Sequence, residues 1–144
     1  MATRKDPYSS FNFRLEIDGI RRAAFQEVGG LDSSIDVVEH REGGENITMR
    51  KYPGQVKFSN LSLKWGMSDD TDLYEWHRQW VDGDAAAKRK NGSIVLLDRQ
   101  GQEKARWNFF NAWPAKWTGP AFNAESSELA IETLELAHEG LARA

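Results

Sequence analysis

From Phe11 to Asp18 apolar and polar residues alternate without a break, Phe-Asn-Phe-Arg-Leu-Glu-Ile-Asp. A period of two places Phe11, Phe13, Leu15 and Ile17 on one face of a half-buried strand. Asp18-Gly19 then supplies turn chemistry, and a returning strand is expected over 23–27. Gly29-Gly30 punctuates the chain before another strand over 33–40, with Ile35 and Val37 pointing one way and Ser34, Asp36 and Val38 the other. There the pattern fails. Residues 41–54 hold Gly43-Gly44, Pro53-Gly54, several charges and few apolar side chains, and read as one long exposed loop. Loops of this length in a compact domain are usually functional or disordered. Strand character resumes over 55–65, with Phe58, Leu61, Leu63 and Trp65 inward and a bulge expected near Ser59-Asn60.

A single helix stands out. Ser68-Asp69-Asp70-Thr71-Asp72 offers capping side chains and negative charge at its start. Leu73, Trp76, His77 and Trp80 follow at i, i+3, i+4 and i+7 and so share one face. Leu73, Trp76 and Trp80 are the residues expected to pack this helix on the rest of the domain. Asp82-Gly83 interrupts, 84–90 is expected to add a further helical turn, and Asn91-Gly92 is a stop signal. The second half returns to strands: a short one over 93–98, a turn at 99–101 and an alternating stretch over 105–111. A loop marked by Pro114, Gly119 and Pro120 comes next, then a strand over 127–138. In that last strand Leu129, Ile131, Thr133 and Glu135 face one way and Ala130, Glu132, Leu134 and Leu136 the other. Short strands with one helix imply a mainly β fold, a small β-barrel or sandwich with one flanking α-helix, forming a single domain over 1–144.

Composition narrows the function. A domain of 144 residues buries roughly 68–70% of its unfolded surface, enough for one core. The net charge of −3 argues for neither nucleic acid nor a membrane surface, and the basic run Lys88-Arg89-Lys90 reads as a solvated helix end. With no cysteine there is no disulfide, thiolate metal site or cysteine nucleophile. The opening Met1 to Pro7 leads into no apolar run, so no signal peptide is expected, and no stretch reaches the roughly 18 apolar residues of a membrane helix. Insertion of the subunit into a membrane is therefore not expected.

Catalytic chemistry is sparse. His40, His77 and His138 have no metal-ligand spacing, and His77 shares its face with two tryptophans, as a packed histidine would. Asp69, Asp70 and Asp72 lack the spacing, glycine and distal glutamate of a calcium loop and serve better as a helix cap. Glu132 and Glu135 are three apart on a strand, on opposite faces, and cannot act as a carboxylate pair. No phosphate loop or nucleophile elbow is present. The six tryptophans come without a basic stripe and read as core or interface. Neither catalytic residue, metal nor cofactor is expected.

Several segments in order resemble the tail tube proteins of contractile phages and of extracellular contractile injection systems. They are Phe11-Asn12-Phe13 to Ile17-Asp18-Gly19, Phe25 to Leu31, Arg41-Glu42-Gly43-Gly44, Lys51-Tyr52-Pro53-Gly54, Leu61 to Lys64 and the Trp76/Trp80 helix. Asn111 to Trp117 and Ile131 to Leu136 complete the set. Trp65 departs from the pattern, where relatives carry a basic residue. The resemblance implies a barrel subunit that forms hexameric rings stacked into a hollow tube inside a contractile sheath. It implies sheath and baseplate proteins as partners, a lumen able to hold cargo, and assembly in the bacterial cytoplasm. Exposed sheet edges would pair between subunits. Arg41, Gly43, Gly44, Ile47, Met49, Tyr52 and Pro53 would make inter-subunit contacts, with Gly43-Gly44 and Pro53-Gly54 as the bends that send the loop out and back. Two other readings stay open on the residues: a monomeric carbohydrate-binding β-sandwich with exposed tryptophan platforms, and a small hydrolase uniting a histidine with a carboxylate.

Overall fold

The computed structural model describes residues 12–18, 20–41, 43–44, 48–121 and 130–144, the side chains of 21–24 excepted. Phe11, Gly19, Ile47 and Leu129, named above, lie outside the described residues, as does Glu42. Ten strands and a helix follow in the order β1 (Asn12–Ile17), β2 (Ile20–Phe25), β3 (Glu27–Gly29), β4 (Ser34–His40), β5 (Arg50–Lys57), β6 (Leu61–Gly66), α1 (Asp72–Val81), β7 (Lys90–Leu97), β8 (Glu103–Thr118), β9 (Ile131–Ala137) and β10 (Gly140–Arg143). Seven strands form one path, β2-β1-β7-β8-β9-β6-β3, with β10 also paired to β8 as an eighth, and all these pairings are antiparallel. The ends of the path are successive pieces of chain. Gln26 alone separates β2 from β3, and its N–H donates to Lys64 O at 2.8 Å. The sheet therefore curls back on itself, with its first and last strands end to end and not side by side. The result is an open barrel, or a sandwich of two sheets that share β8.

Alternation decides the core. Leu15 and Ile17 of β1, Leu61, Leu63 and Trp65 of β6, Ile94 of β7, Phe109 of β8 and Leu134 and Leu136 of β9 pack together with Phe25. Phe13 is only half-buried at the margin. Burial is tight enough to dictate residue type: a Cβ at Gly92 would stand 2.6 Å from Phe109 Cζ, so the ring occupies the space that glycine leaves. Glu132, on the inward side of β9, accepts a 2.7 Å bond from the Trp65 indole N–H. An acid carried inward by strand alternation is thereby satisfied.

Helix α1 lays Leu73 and Trp76 into this core, with Trp80 half-buried against Trp113 at a ring separation of 5.5 Å. Trp76 Nε1–H donates to Lys88 O at 3.1 Å. The cap differs from expectation. Thr71 stands at the N-cap position without a side-chain bond to a helix backbone N–H, its hydroxyl donating to the Glu75 side chain at Oε1, 3.0 Å away. Asp72 instead accepts from the Leu73 N–H at 3.0 Å. The helix ends at Val81, with Asp82 as its C-cap and Gly83 beyond it at φ +66°, and 84–90 adds no further helix before β7 begins at Lys90.

Three strand readings are also corrected. The segment 23–27 belongs to two strands, since β1 and β6 each claim one side of it. The segment 55–65 likewise splits into β5 and β6, with 58–60 crossing between sheets, so the irregular Phe58-to-Leu61 spacing marks a connection and not a bulge. Pro114 lies inside β8, at a register shift against β9, where its missing N–H costs nothing and its carbonyl stands 3.0 Å from His77 Nδ1. Replacement of Trp76 by alanine should cost about 3–5 kcal/mol, read as a lowered denaturant midpoint; an unchanged midpoint would remove Trp76 from the core.

Candidate assembly interface

The most exposed regular structure is a hairpin. The strands β4 and β5 form their own two-stranded sheet, packing chiefly on each other. Its ladder pairs Ile35 with Val56, Val37 with Pro53 and Val38 with Tyr52. Ile35, Val37, Val38, Tyr52 and Val56 are 55, 62, 50, 44 and 52% exposed. Met49, Arg41, Gly43 and Gly44 are exposed at the far end, with Gly44 at φ +91° in the turn. The long loop is thus shorter than the sequence implied: Arg50 to Gly54 is strand, and Pro53 is not a return bend. Proline is tolerated there because the β4–β5 register shifts between Ile35 and Val37, next to Pro53's partner. Alternation was hidden because neither face of this strand is buried.

The base of the hairpin is pinched. Gly30, at φ +85°, comes so close to Asn60 that an added Cβ would stand 2.0 Å from its carbonyl oxygen. Next to it, His138 Nε2 lies 3.0 Å from Ser59 O and Nδ1 3.1 Å from Gly140 O. These contacts fix where the hairpin leaves the barrel while its shaft stays bare.

A second surface comes from β2-β1-β7-β8-β10. Among the described residues β2 pairs only with β1 and β10 only with β8, so each leaves one edge open. The face turned from the core carries Arg14, Glu16, Ser93, Arg106 and Asn108, whose ladder positions coincide. Arg106 donates from Nη1 to Glu16 Oε2 at 2.9 Å and from Nη2 to Glu103 Oε1 at 2.6 Å, and Arg14 Nη2 reaches Glu16 Oε1 at 2.9 Å. The bonds from Arg106 hold the Glu103 carboxyl below its ordinary range, and the two carboxylates in turn raise Arg106. Asp98 is also lowered, first by the Gln102 N–H.

The remaining candidates do not assemble into a reactive site. His40 stacks near Tyr52, while His77 and His138 meet backbone carbonyls. Trp65 and Trp76 are buried, and Trp80, Trp107, Trp113 and Trp117 are partly so. No described tryptophan is therefore an open sugar platform. No group of described residues could hold a metal ion.

A family model described as T4-like virus tail tube protein gp19 matches residues 9–142. The chain belongs to this tail tube family. It is also similar to a chain in the anti-feeding prophage baseplate structure, at 26% identity and TM-score 0.82, covering 98% of this chain and 97% of that one. A chain in the sheath–tube complex of the extracellular contractile injection system PVC gives 27%, 0.81, 96% and 91%. Hcp1 from Flavobacterium johnsoniae, at 16% identity and TM-score 0.58 with 91% and 93% covered, shares the fold. No curated protein sequence matches significantly. As a tail tube protein the chain is a structural subunit of a tube.

Because the Glu103 pKa is lowered in the folded subunit, its stabilisation is present above the ordinary carboxylate value of 4.5 and is lost as pH falls through the lower folded value. The thermal midpoint of wild type minus that of Glu103→Gln should be constant near neutrality and shrink only in acid. A difference that grows on acidification would refute the pairing.

Proposed function

We propose that this protein builds the inner tube of a contractile injection system, as hexameric rings stacked into a hollow conduit. The observation that carries this is the bare β4–β5 hairpin. A two-stranded hairpin alone is marginal in water, and burying each of its large apolar side chains against a neighbouring copy would contribute roughly 1.5–3 kcal/mol. Arg41, Gly43, Gly44, Met49, Tyr52 and Pro53 belong to that contact, with Val37 and Val38 as its apolar centre. Ile47 is assigned to it on the sequence alone.

Ring closure uses the open edges. Four successive antiparallel pairings make β2 and β10 run in the same direction. Head-to-tail joining of β10 to the β2 of the next copy is thus parallel and leaves no exposed edge around the ring. A polar face whose charges pair with one another then lines the lumen, while the apolar hairpin takes the contact with other copies. The anti-feeding prophage baseplate and PVC sheath–tube similarities support baseplate and sheath as partners here. The subunit is assembled in the bacterial cytoplasm, acts without cofactor and has no enzymatic activity. No described helix is long and apolar enough to cross a membrane.

The test is a Val37→Ser/Tyr52→Ser double variant. It should keep the wild-type circular dichroism spectrum and thermal midpoint and form no tubes by electron microscopy. Normal tubes from this variant would sink the hairpin contact. Wild-type protein that sediments only as a monomer at every concentration would argue against ready self-assembly.

A further inference from the structure

The basic run Lys88-Arg89-Lys90 is not a loose end. Lys88 O accepts the Trp76 indole N–H at 3.1 Å, and Lys90 Nζ stands 5.6 Å from the centre of the same ring. Trp76 is 3% exposed, so the residue between these two is fixed to the core. From there Arg89 Nη1 donates to Glu139 Oε1 at 2.7 Å. The other carboxylate oxygen, Oε2, accepts from Asn111 Nδ2 at 3.1 Å, and the Glu139 N–H donates to Phe110 O at 2.9 Å. Glu139 thus joins three pieces of chain: the run that leads into β7, the positive-φ residue of β8 and the start of β10.

The value of this junction lies in its place and not in its strength. The Arg89 and Glu139 side chains are 46 and 57% exposed, and an exposed pair contributes little to stability. However, β9 and β10 follow one edge of β8 in a single register, with Trp113 opposite Ala137 and Phe110 opposite Gly140. Residues 138 and 139 cross the corner between them, so Glu139 sets the direction in which the four residues of β10 leave it. The ladder to β8 holds one edge of β10, and among the described residues no strand pairs with the other. A ring made by joining that edge to β2 repeats one joint around a circle. An error in the direction of β10 then recurs at every joint, and a rotation that does not close gives an open helical filament in place of a ring. We infer that Glu139, held by Arg89 and Asn111, is a positioning residue for assembly: it orients β10 so that copies joined edge to edge close into rings of one size. The inference rests on the proposed β10–β2 joint and adds what sets its angle.

Electron microscopy of the full chain tests the joint and its angle separately. The Ala144 N–H donates to Arg106 O, so the N–H of the preceding residue, Arg143, faces the open edge. Arg143→Pro removes that donor, leaves the β8 ladder intact and should give a folded subunit that forms no closed rings. Wild-type rings from Arg143→Pro overturn the joint, and the inference with it. Glu139→Ala keeps the edge and releases the corner. It should retain the wild-type circular dichroism spectrum and still associate, but as arcs, open filaments or rings of mixed diameter, where the wild type gives one diameter. Closed rings of the wild-type diameter from folded Glu139→Ala overturn the inference and leave the joint standing. So does a folded Glu139→Ala that associates at no concentration, since the residue then serves affinity and not closure. Should Glu139→Ala fail to fold, Arg89→Ala decides by the same ring-size readout: it removes one exposed pair and should move the thermal midpoint by no more than about 4 °C. A wild type that gives neither rings nor tubes overturns the tube reading and the inference together.

Discussion

One strand has to belong to two sheets. Through Ala112 β8 pairs with β7, through Phe110 with β10, and from Trp113 with β9, so its backbone must turn a corner between them. The corner is Asn111, at φ +53°, the one non-glycine residue with positive φ among the described residues. Asparagine tolerates this region better than most side chains because its amide can bond locally. Here the Asn111 N–H donates to Asn91 Oδ1 at 2.9 Å, and its Nδ2 donates to Glu139 Oε2 at 3.1 Å. Glu139 is itself held by Arg89 at 2.7 Å. Everything functional hangs from this bend. It lets β10 continue along β8 and present a free edge, and it gives the polar sheet a direction different from the one that carries the helix.

The same frame sorts the surface by what each part needs. The barrel core is closed by apolar side chains and one satisfied acid, Glu132. The outward sheet face is closed by its own ion pairs. Met67, Val81 and Phe110 are also exposed, but the hairpin gathers Ile35, Val37, Val38, Tyr52 and Val56 in water on a structure too small to hold itself. A subunit of this kind folds its body alone and keeps part of its interaction energy for contact with another copy. On the proposed reading, tube building draws on ordinary burial.

Much of the body was legible from residue pattern. The alternation of Leu15 and Ile17, of Leu61, Leu63 and Trp65, and of Glu132, Leu134 and Leu136 maps directly onto one buried face, because each of those strands has one wet side. The helix was legible for the same reason at its own period. What escaped were features whose cause lies elsewhere in the chain. Pro53 and Pro114 read as loop residues, since only the partner strand reveals the register shifts that accommodate them. The loop at 41–54 hid a strand because β5 buries neither face. The charged face was invisible too: Glu16 and Arg106 are ninety residues apart, and nothing local marks them as partners.

An exposed apolar hairpin is also a hazard, since its edges and side chains suit indiscriminate pairing. Its sequence restrains this without sacrificing the contact. Charges alternate with the apolar residues: Asp36 is bonded to Lys57 at 3.1 Å, and Glu39 stands opposite Lys51. Pro53 removes an N–H from the ladder, and the neighbouring register shift spoils the flat geometry that generic edge pairing requires. Edge-to-edge association is thereby discouraged, while the side chains of Val37 and Val38 stay exposed to solvent. On the proposed reading, specificity of assembly lies in side-chain shape on the hairpin and in backbone pairing at β2 and β10, two independent contacts that another copy of the same subunit would satisfy together.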